Sequence, residues 1–132
     1  MSYSNNSLSI AAGTGISVTP TTATGATTLT ISATGIQTLV VRNAVATPVT
    51  VTNADDVVSV EVPGPVAVAV TLPAGVLGRV FNIKDGLGLA APATPITITP
   101  AAGTVDGAAT ATIDAPYGSL TLVYNGTQWL IL

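Results

Sequence analysis

Six carboxylates are the side chains of this sequence with the widest range of chemistry. Two carboxylates on either side of a glycosidic bond can cleave it, one as the acid and the other as base or nucleophile. Four of the six lie in or beside turn sequences, where Asp is favoured for its local hydrogen bonds, and the alternating acids of a calcium loop are absent. The sequence therefore favours structural over catalytic roles for Asp55, Asp56, Glu61, Asp85, Asp106 and Asp114.

The other groups that commonly carry catalysis are missing. The chain has no histidine and no cysteine, which excludes Ser-His and Cys-His arrangements and the commonest transition-metal ligands. Lys84 stands beside Asp85 and is best interpreted as a solvated strand end, while Gly86 and Gly88 form a loop that lacks the third glycine and the helix of a nucleotide site. We expect neither an enzyme nor a bound cofactor or metal.

Charge is scarce along the whole chain. Only 7% of its 132 residues are charged, against about 25% in a typical soluble domain. Three basic residues and a net charge of −3 cannot supply the phosphate contacts that nucleic-acid binding needs. The apolar stretch from Val62 to Leu77 is interrupted by proline and glycine, so it does not fit a membrane-spanning helix. We infer that other subunits cover much of the surface, because a soluble monomer normally needs more surface charge.

The elements that would position these residues fall into two regions. Residues 1–41 are uncharged and rich in Ser, Thr, Ala and Gly, with short alternating pieces at 16–19 and 28–32. Alternation at period two predicts strands, but large apolar side chains are few, so we predict an extended β-arm or a small β-layer that docks onto a partner. Its contact residues would be Ile16, Val18, Leu29 and Ile31.

Residues 42–132 carry a dense strand pattern with Pro, Gly, Asn and Asp at the breaks. They predict an all-β module, a short-stranded antiparallel β-sandwich or barrel of jelly-roll-like type. Asn125-Gly126 between two apolar runs predicts a closing hairpin with a type I′ turn. The predicted strands cover residues 48–53, 57–62, 66–72, 78–84, 95–99, 109–113, 120–124 and 127–132.

Three of these strands, at residues 66–72, 120–124 and 127–132, carry the predicted contacts between subunits of an oligomer. Tyr124 and Trp129 flank the last hairpin; they could form a sugar-binding platform, but packing in the core or at an interface is favoured. The predicted interface consists of Val66, Val68, Val70, Leu72, Leu122, Tyr124, Trp129 and Ile131.

The C-terminal half resembles a known group of proteins. Two stretches carry the resemblance: Gly78-Arg79-Val80-Phe81-Asn82-Ile83-Lys84-Asp85 and Pro116-Tyr117-Gly118-Ser119-Leu120-Thr121-Leu122-Val123-Tyr124-Asn125-Gly126-Thr127-Gln128-Trp129. Both are similar to the terminal β-module of bacteriophage fibres, spikes and head-decoration proteins. The similarity covers about residues 58–132. It implies a trimeric, protease-resistant β-assembly on the surface of a virion, made in the cytoplasm of the bacterial host.

The size of the chain departs from this pattern. Tail fibres usually add a long shaft and a tail adaptor, whereas this sequence holds an arm and one module after its Met1. We therefore expect a capsid decoration or cement protein, akin to a head fibre, whose arm binds the major capsid protein of a phage head. The alternative is a short tail-fibre or spike tip, with loops such as 85–95 recognising host surface glycans.

Overall fold

The computed structural model describes residues 16–23, 26–33 and 38–132. The chain divides into two compact units, Met1–Thr38 and Leu39–Leu132. In the first, strands β1 (Ile16–Ala23) and β2 (Ala26–Ala33) form an antiparallel two-stranded sheet. This confirms the strands that the sequence predicted at 16–19 and 28–32, and both strands extend beyond the predicted bounds.

The second unit is all-β and consists of two mixed sheets. One sheet has five strands in the order β11-β10-β7-β5-β3, and the other has four in the order β4-β6-β8-β9. The strands are β3 (Val41–Ala44), β4 (Val49–Thr50), β5 (Val57–Val60), β6 (Val68–Leu72), β7 (Val80–Asp85), β8 (Ile96–Pro100), β9 (Ala111–Ile113), β10 (Ser119–Tyr124) and β11 (Trp129–Ile131).

From β3 to β8 the chain alternates between the two sheets. Strands β3, β5 and β7 pair in parallel in the five-stranded sheet, and β4, β6 and β8 pair in parallel in the four-stranded sheet. Parallel neighbours need a crossover between them, and here each crossover contains a strand of the opposite sheet. The chain thus winds three times around one core, as in a β-solenoid.

This winding corrects the prediction of an antiparallel module. Only β9, β10 and β11 join their sheets in antiparallel fashion within the second unit, and the jelly-roll-like arrangement is not confirmed. The sequence could not reveal the difference, because short strands with the same alternation serve parallel coils and antiparallel sandwiches alike. The partner of each parallel strand lies a whole coil away along the chain.

The core lies between the two sheets and consists of aliphatic residues with two aromatic rings. Phe81, Leu72, Ile83 and Trp129 are among its largest fully buried side chains. The Trp129 ring lies 5.3 Å from that of Phe81 and 5.2 Å from that of Tyr124, centroid to centroid. Because buried residues alternate with less buried ones along β5, β6 and β8, one face of each strand faces this core.

The last hairpin is confirmed, but its turn differs from the one predicted. Tyr124 pairs with Trp129 and the Asn125 N–H donates to the Gln128 carbonyl, so Gly126 and Thr127 are the central residues. Of these two, only Gly126 has a positive φ, at 98°, which is typical of type II′ rather than type I′. A type I′ pattern occurs instead at Asp106-Gly107, where both φ angles are positive.

Candidate interaction surfaces and the groups that position them

Two aspartates and two arginines form a network of hydrogen bonds and ion pairs at the first coil, which comprises β3 and β4. The Asp55 carboxylate, 4% exposed, accepts two hydrogen bonds from Arg42, at 2.8 and 3.0 Å. Arg79 forms an ion pair with Asp56 at 2.8 Å and donates to the Asp55 carbonyl. The second Asp56 oxygen accepts the Val40 N–H at 2.8 Å. These contacts tie β3 to the loop after β4 and to the start of β7.

Both carboxylates of this network are held in the ionised form. Hydrogen bonds from Arg42, and then from Thr52, hold the pKa of Asp55 below its ordinary value although burial opposes them. The pKa of Asp56 is lowered by the Val40 N–H and by Arg79. Glycoside cleavage needs a carboxylic acid with a raised pKa as proton donor. The Asp55-Asp56 pair therefore has the properties of a structural network.

We expect Arg42→Ala to weaken this network and the attachment of β3. The change leaves the buried Asp55 carboxylate without its bidentate partner, which should lower the free energy of unfolding by about 1–2 kcal/mol, since Arg42 itself is partly exposed. Urea unfolding would measure the loss. In a double-mutant cycle with Asp55→Asn the two effects should not add; fully additive effects would contradict the proposed coupling.

A second buried carboxylate, Asp85, organises two surface loops. It ends β7 and is 2% exposed. Its oxygens accept the N–H groups of Gly88 at 3.1 Å and of Ala90 and Tyr117 at 3.0 Å. Burial alone would raise the pKa of Asp85, but these N–H donors together hold it below the ordinary value. One side chain thus fixes the loop after β7 and the turn before β10.

The turn before β10 presents an exposed aromatic ring. Tyr117 is 63% exposed and has a φ of 57°, in the left-handed region that non-glycine residues seldom adopt. Its ring lies against Gly88, where an added Cβ would collide with it. The Lys84 ammonium lies 5.8 Å from the ring centroid and donates to the Tyr117 carbonyl. The position of the ring is therefore restricted by contact with Gly88 and by the nearby Lys84 ammonium.

The outer face of the five-stranded sheet has two rows rich in aliphatic residues and a third row that is polar, formed by Asn43, Ser59, Lys84 and Ser119. Val123 pairs with both Val80 and Leu130, and these three residues lie on the side of the sheet opposite Phe81 and Trp129. The next row across the strands runs from Val41 through Val57 to Asn82 and Thr121, and the Leu132 N–H donates to the Thr121 carbonyl. We call Val41, Val57, Val80, Val123, Leu130 and Leu132 the aliphatic face.

The outer face of the four-stranded sheet has a different character. Thr71 lies between Thr50 and Thr99 in one row, and Thr97 pairs with Ala69 and Thr112 in the next. None of the four strands contains a charged residue. This surface, which we call the threonine face, offers hydroxyl groups where the aliphatic face offers methyl groups.

The predicted subunit contacts lie in places that the sequence did not foresee. Val68, Val70, Leu72, Leu122 and Trp129 are buried in the core of their own chain, which leaves them no surface to offer a partner. Tyr124 is half-buried against that core. Of the predicted set, Val66 and Ile131 are exposed. The physical reason is that the chain's two sheets need these large residues to fill the space between them.

The predicted docking residues of the arm lie in β1 and β2. Val18 is opposite Ile31 in the register, and Ile16 and Leu29 are opposite Ala33 and Pro20. Their side chains fall outside the described residues, so the predicted contact with a capsid stays a prediction.

Sequence reasoning missed the aliphatic face and Tyr117. The aliphatic face had a visible signal, because Leu120-Thr121-Leu122-Val123 and Trp129-Leu130-Ile131 place apolar residues at both parities and hence on both sides of a sheet. Tyr117 had a weaker one in Pro116-Tyr117-Gly118, a turn sequence around an aromatic residue.

The described residues contain no cluster of three or more side chains that could hold a metal ion. A cavity of about 10 Å³ between Val60, Val68, Asp85 and Ile96 has room for about one water molecule. Within the same part of the chain, none of the elements is a helix of the length and hydrophobicity that crossing a membrane requires. Among the features found, the aliphatic face, the threonine face and the exposed ring of Tyr117 are the best candidates for contact with a ligand or partner.

No known family model matches this chain, and no curated protein is significantly similar to it.

Proposed function

We propose that this chain is a non-catalytic structural protein of a bacteriophage particle, a decoration or cement protein that binds the head shell as a homotrimer and stabilises it. The observation that carries the proposal is the combination of exposed aliphatic residues with charged groups that are used inside the fold. Arg42, Arg79, Asp55 and Asp85 all have partners within the chain. What is left on the two outer faces is suited to contact with other protein.

The first coil supports docking onto a larger body. Leu39, Val40, Val41 and Val45 are all exposed, and they surround β3, the edge strand of the five-stranded sheet. Exposed apolar edge strands are sites where other chains pair. In the proposal, the uncharged residues 1–41 also bind the major capsid protein.

The mechanism is mass action. A protein that binds the assembled shell and not its separate subunits stabilises the shell by a free energy that grows with the logarithm of its concentration divided by its dissociation constant. Each apolar contact across neighbouring capsomers contributes about 25 cal/mol per Å² of buried area. The protein would be made in the cytoplasm of the bacterial host and would reside on the surface of the virion.

The proposal is tested by adding the purified chain to phage heads that lack it. We expect it to co-sediment with the heads, to raise the temperature at which they release DNA, and to appear on the shell in electron micrographs. Residues 39–132 alone, which form a compact unit, should bind more weakly if the arm docks. Density at the tail tip alone would overturn the capsid assignment.

A second candidate, a receptor-binding fibre or spike tip, is favoured by Tyr117. A fixed, exposed aromatic ring beside a lysine is a suitable platform for stacking a sugar ring, and the neighbouring Leu87 and Leu89 are also exposed. If this candidate is right, Tyr117→Asn should abolish glycan binding and leave the melting temperature unchanged, because Asn tolerates the left-handed conformation. A wild-type protein that neither binds host cells nor blocks adsorption would contradict it.

A further inference from the structure

We infer that the aliphatic face of the five-stranded sheet is the subunit interface of this protein, and that its partner is a second copy of the same chain. The inference rests on the proposed function for the number of copies, three. It differs from the sequence prediction, which placed the interface mainly on residues that are buried in the core.

The face needs no charge from a partner and offers few polar groups that a partner would have to pair. Its two rows hold six aliphatic residues and one polar pair, and in that pair the Thr121 hydroxyl donates to the Asn82 side-chain oxygen. A contiguous apolar surface of this kind usually marks an interaction site. Because the two rows contain no charged side chain and Asn82 is one of only two polar residues in them, a partner surface that also lacks charge is the best match.

The chain itself supplies such a surface. It has three basic and six acidic residues in 132, and none of them lies in the two rows. Two copies that meet through this face therefore bring no like charges together and bury no unpaired charge. A partner with an ordinary charged surface would have to desolvate its charges against methyl groups without compensation.

The width of the sheet agrees with three copies around an axis. Five strands spaced about 4.8 Å apart make a sheet about 24 Å wide. Three such sheets arranged as a triangular prism would each lie about 7 Å from the axis, which is close to the roughly 5 Å that each sheet contributes to an ordinary sheet-on-sheet packing. Valine and leucine side chains pointing inward can fill that distance.

The one cation near the middle of the sheet does not oppose this packing. Lys84 follows Asn82 on the outer side of β7, the central strand. Its ammonium donates a hydrogen bond to the carbonyl of Tyr117, which lies in the turn before β10. It therefore lies at the polar end of the face and not among the aliphatic rows.

The test compares matched charge substitutions on the two outer faces of the full-length chain. Val80→Lys/Val123→Lys alters a cross-strand pair of the aliphatic face, and Thr97→Lys/Thr112→Lys alters a cross-strand pair of the threonine face. By light scattering we expect the wild type and the threonine variant to have the mass of a trimer. The aliphatic variant should have the mass of a monomer, with its dissociation concentration raised by about 100-fold or more.

Single cysteines provide a readout that does not depend on tolerating a charge, since the chain has no cysteine of its own. We expect Val80→Cys to react with a thiol reagent about tenfold more slowly than Thr112→Cys in the native protein. Both should react at the same rate in denaturant.

The outcomes distinguish a failure of the interface assignment from a failure of the proposed function. If the wild type is a trimer in which Val80→Cys reacts as fast as Thr112→Cys, or if the aliphatic variant remains a trimer, the interface assignment is overturned and the trimeric particle protein survives. If the threonine variant dissociates instead, the assignment is overturned in the same way. A wild type that is a monomer at all concentrations would overturn both proposals, and a protected dimer would overturn the count of three.

Discussion

Trp129→Ala should destabilise the protein by about 3–5 kcal/mol, a large part of the 5–15 kcal/mol by which a domain of this kind is stable. Trp129 is fully buried and packs against Phe81 and Tyr124, so its removal leaves a cavity where both sheets meet. Chemical denaturation would measure the loss, at one protein concentration because oligomerisation contributes to apparent stability. The control is Leu77→Ala, which removes an exposed side chain and should change stability by less than about 0.5 kcal/mol.

The indole N–H of Trp129 makes the prediction more specific. No acceptor among the described residues lies within hydrogen-bond distance of it, and a buried N–H without a partner is unfavourable. Trp129→Phe removes this group and part of the ring, so we expect it to cost about 1–2 kcal/mol. A loss as large as that of Trp129→Ala would show that the N–H forms a stabilising bond in solution.

The sequence was most informative about which side of each strand is apolar, although it assigned the apolar side of residues 66–72 to a subunit interface and not to the core of its own chain. Val68, Val70 and Leu72 alternate with smaller residues, and all three are buried. The same pattern located β8, where Ile96 and Ile98 face inward. Period-two alternation reports directly which side of a strand is apolar, and this information is local.

Strand β3 was not predicted because it breaks the pattern. Its inward position opposite Val58 is occupied by Arg42, a charged residue where alternation requires an apolar one. The arginine is accommodated because Asp55, which is thirteen residues away in sequence, reaches back to pair with it. Such a contact cannot be predicted from a run of four residues, so no strand is predicted at residues 41–44.

The pairing of strands and the arrangement of the surface loops could not be predicted either, because they too depend on contacts between residues far apart in the sequence. Each parallel pair joins residues of successive coils, such as Val57 with Asn82, and the intervening chain forms a strand of the other sheet. Asp85 was recognised as part of a turn, but its bonds to Tyr117 span 32 residues. The candidate surfaces depend on these distant contacts, whereas the core depends on local periodicity.

Asp85→Asn should be the most damaging conservative substitution in the loops. The carboxylate accepts three backbone N–H bonds at 3.0–3.1 Å. An amide has one oxygen, and its NH₂ group would face a donor, so at least one buried N–H loses its partner. We expect a loss of about 2–4 kcal/mol in the free energy of unfolding, together with faster amide exchange at Gly88, Ala90 and Tyr117. Asp114→Asn, at an exposed position, is the matched control and should have little effect.

The same carboxylate should make stability depend on pH in a defined direction. In the unfolded chain the pKa of an aspartate is about 3.9, and in the folded protein the pKa of Asp85 is lower. The ionised form therefore contributes stability that is fully present above the unfolded value and is lost as the pH falls through the folded one. Asp55 acts in the same direction.

The melting temperature of the wild type should accordingly fall steeply below about pH 4. We expect Asp85→Asn to have a lower melting temperature than the wild type at neutral pH, and a melting temperature that falls less steeply as the pH is lowered. An unchanged acid slope in that variant would mean that other carboxylates carry the effect and that Asp85 is not the group which holds the two loops in place.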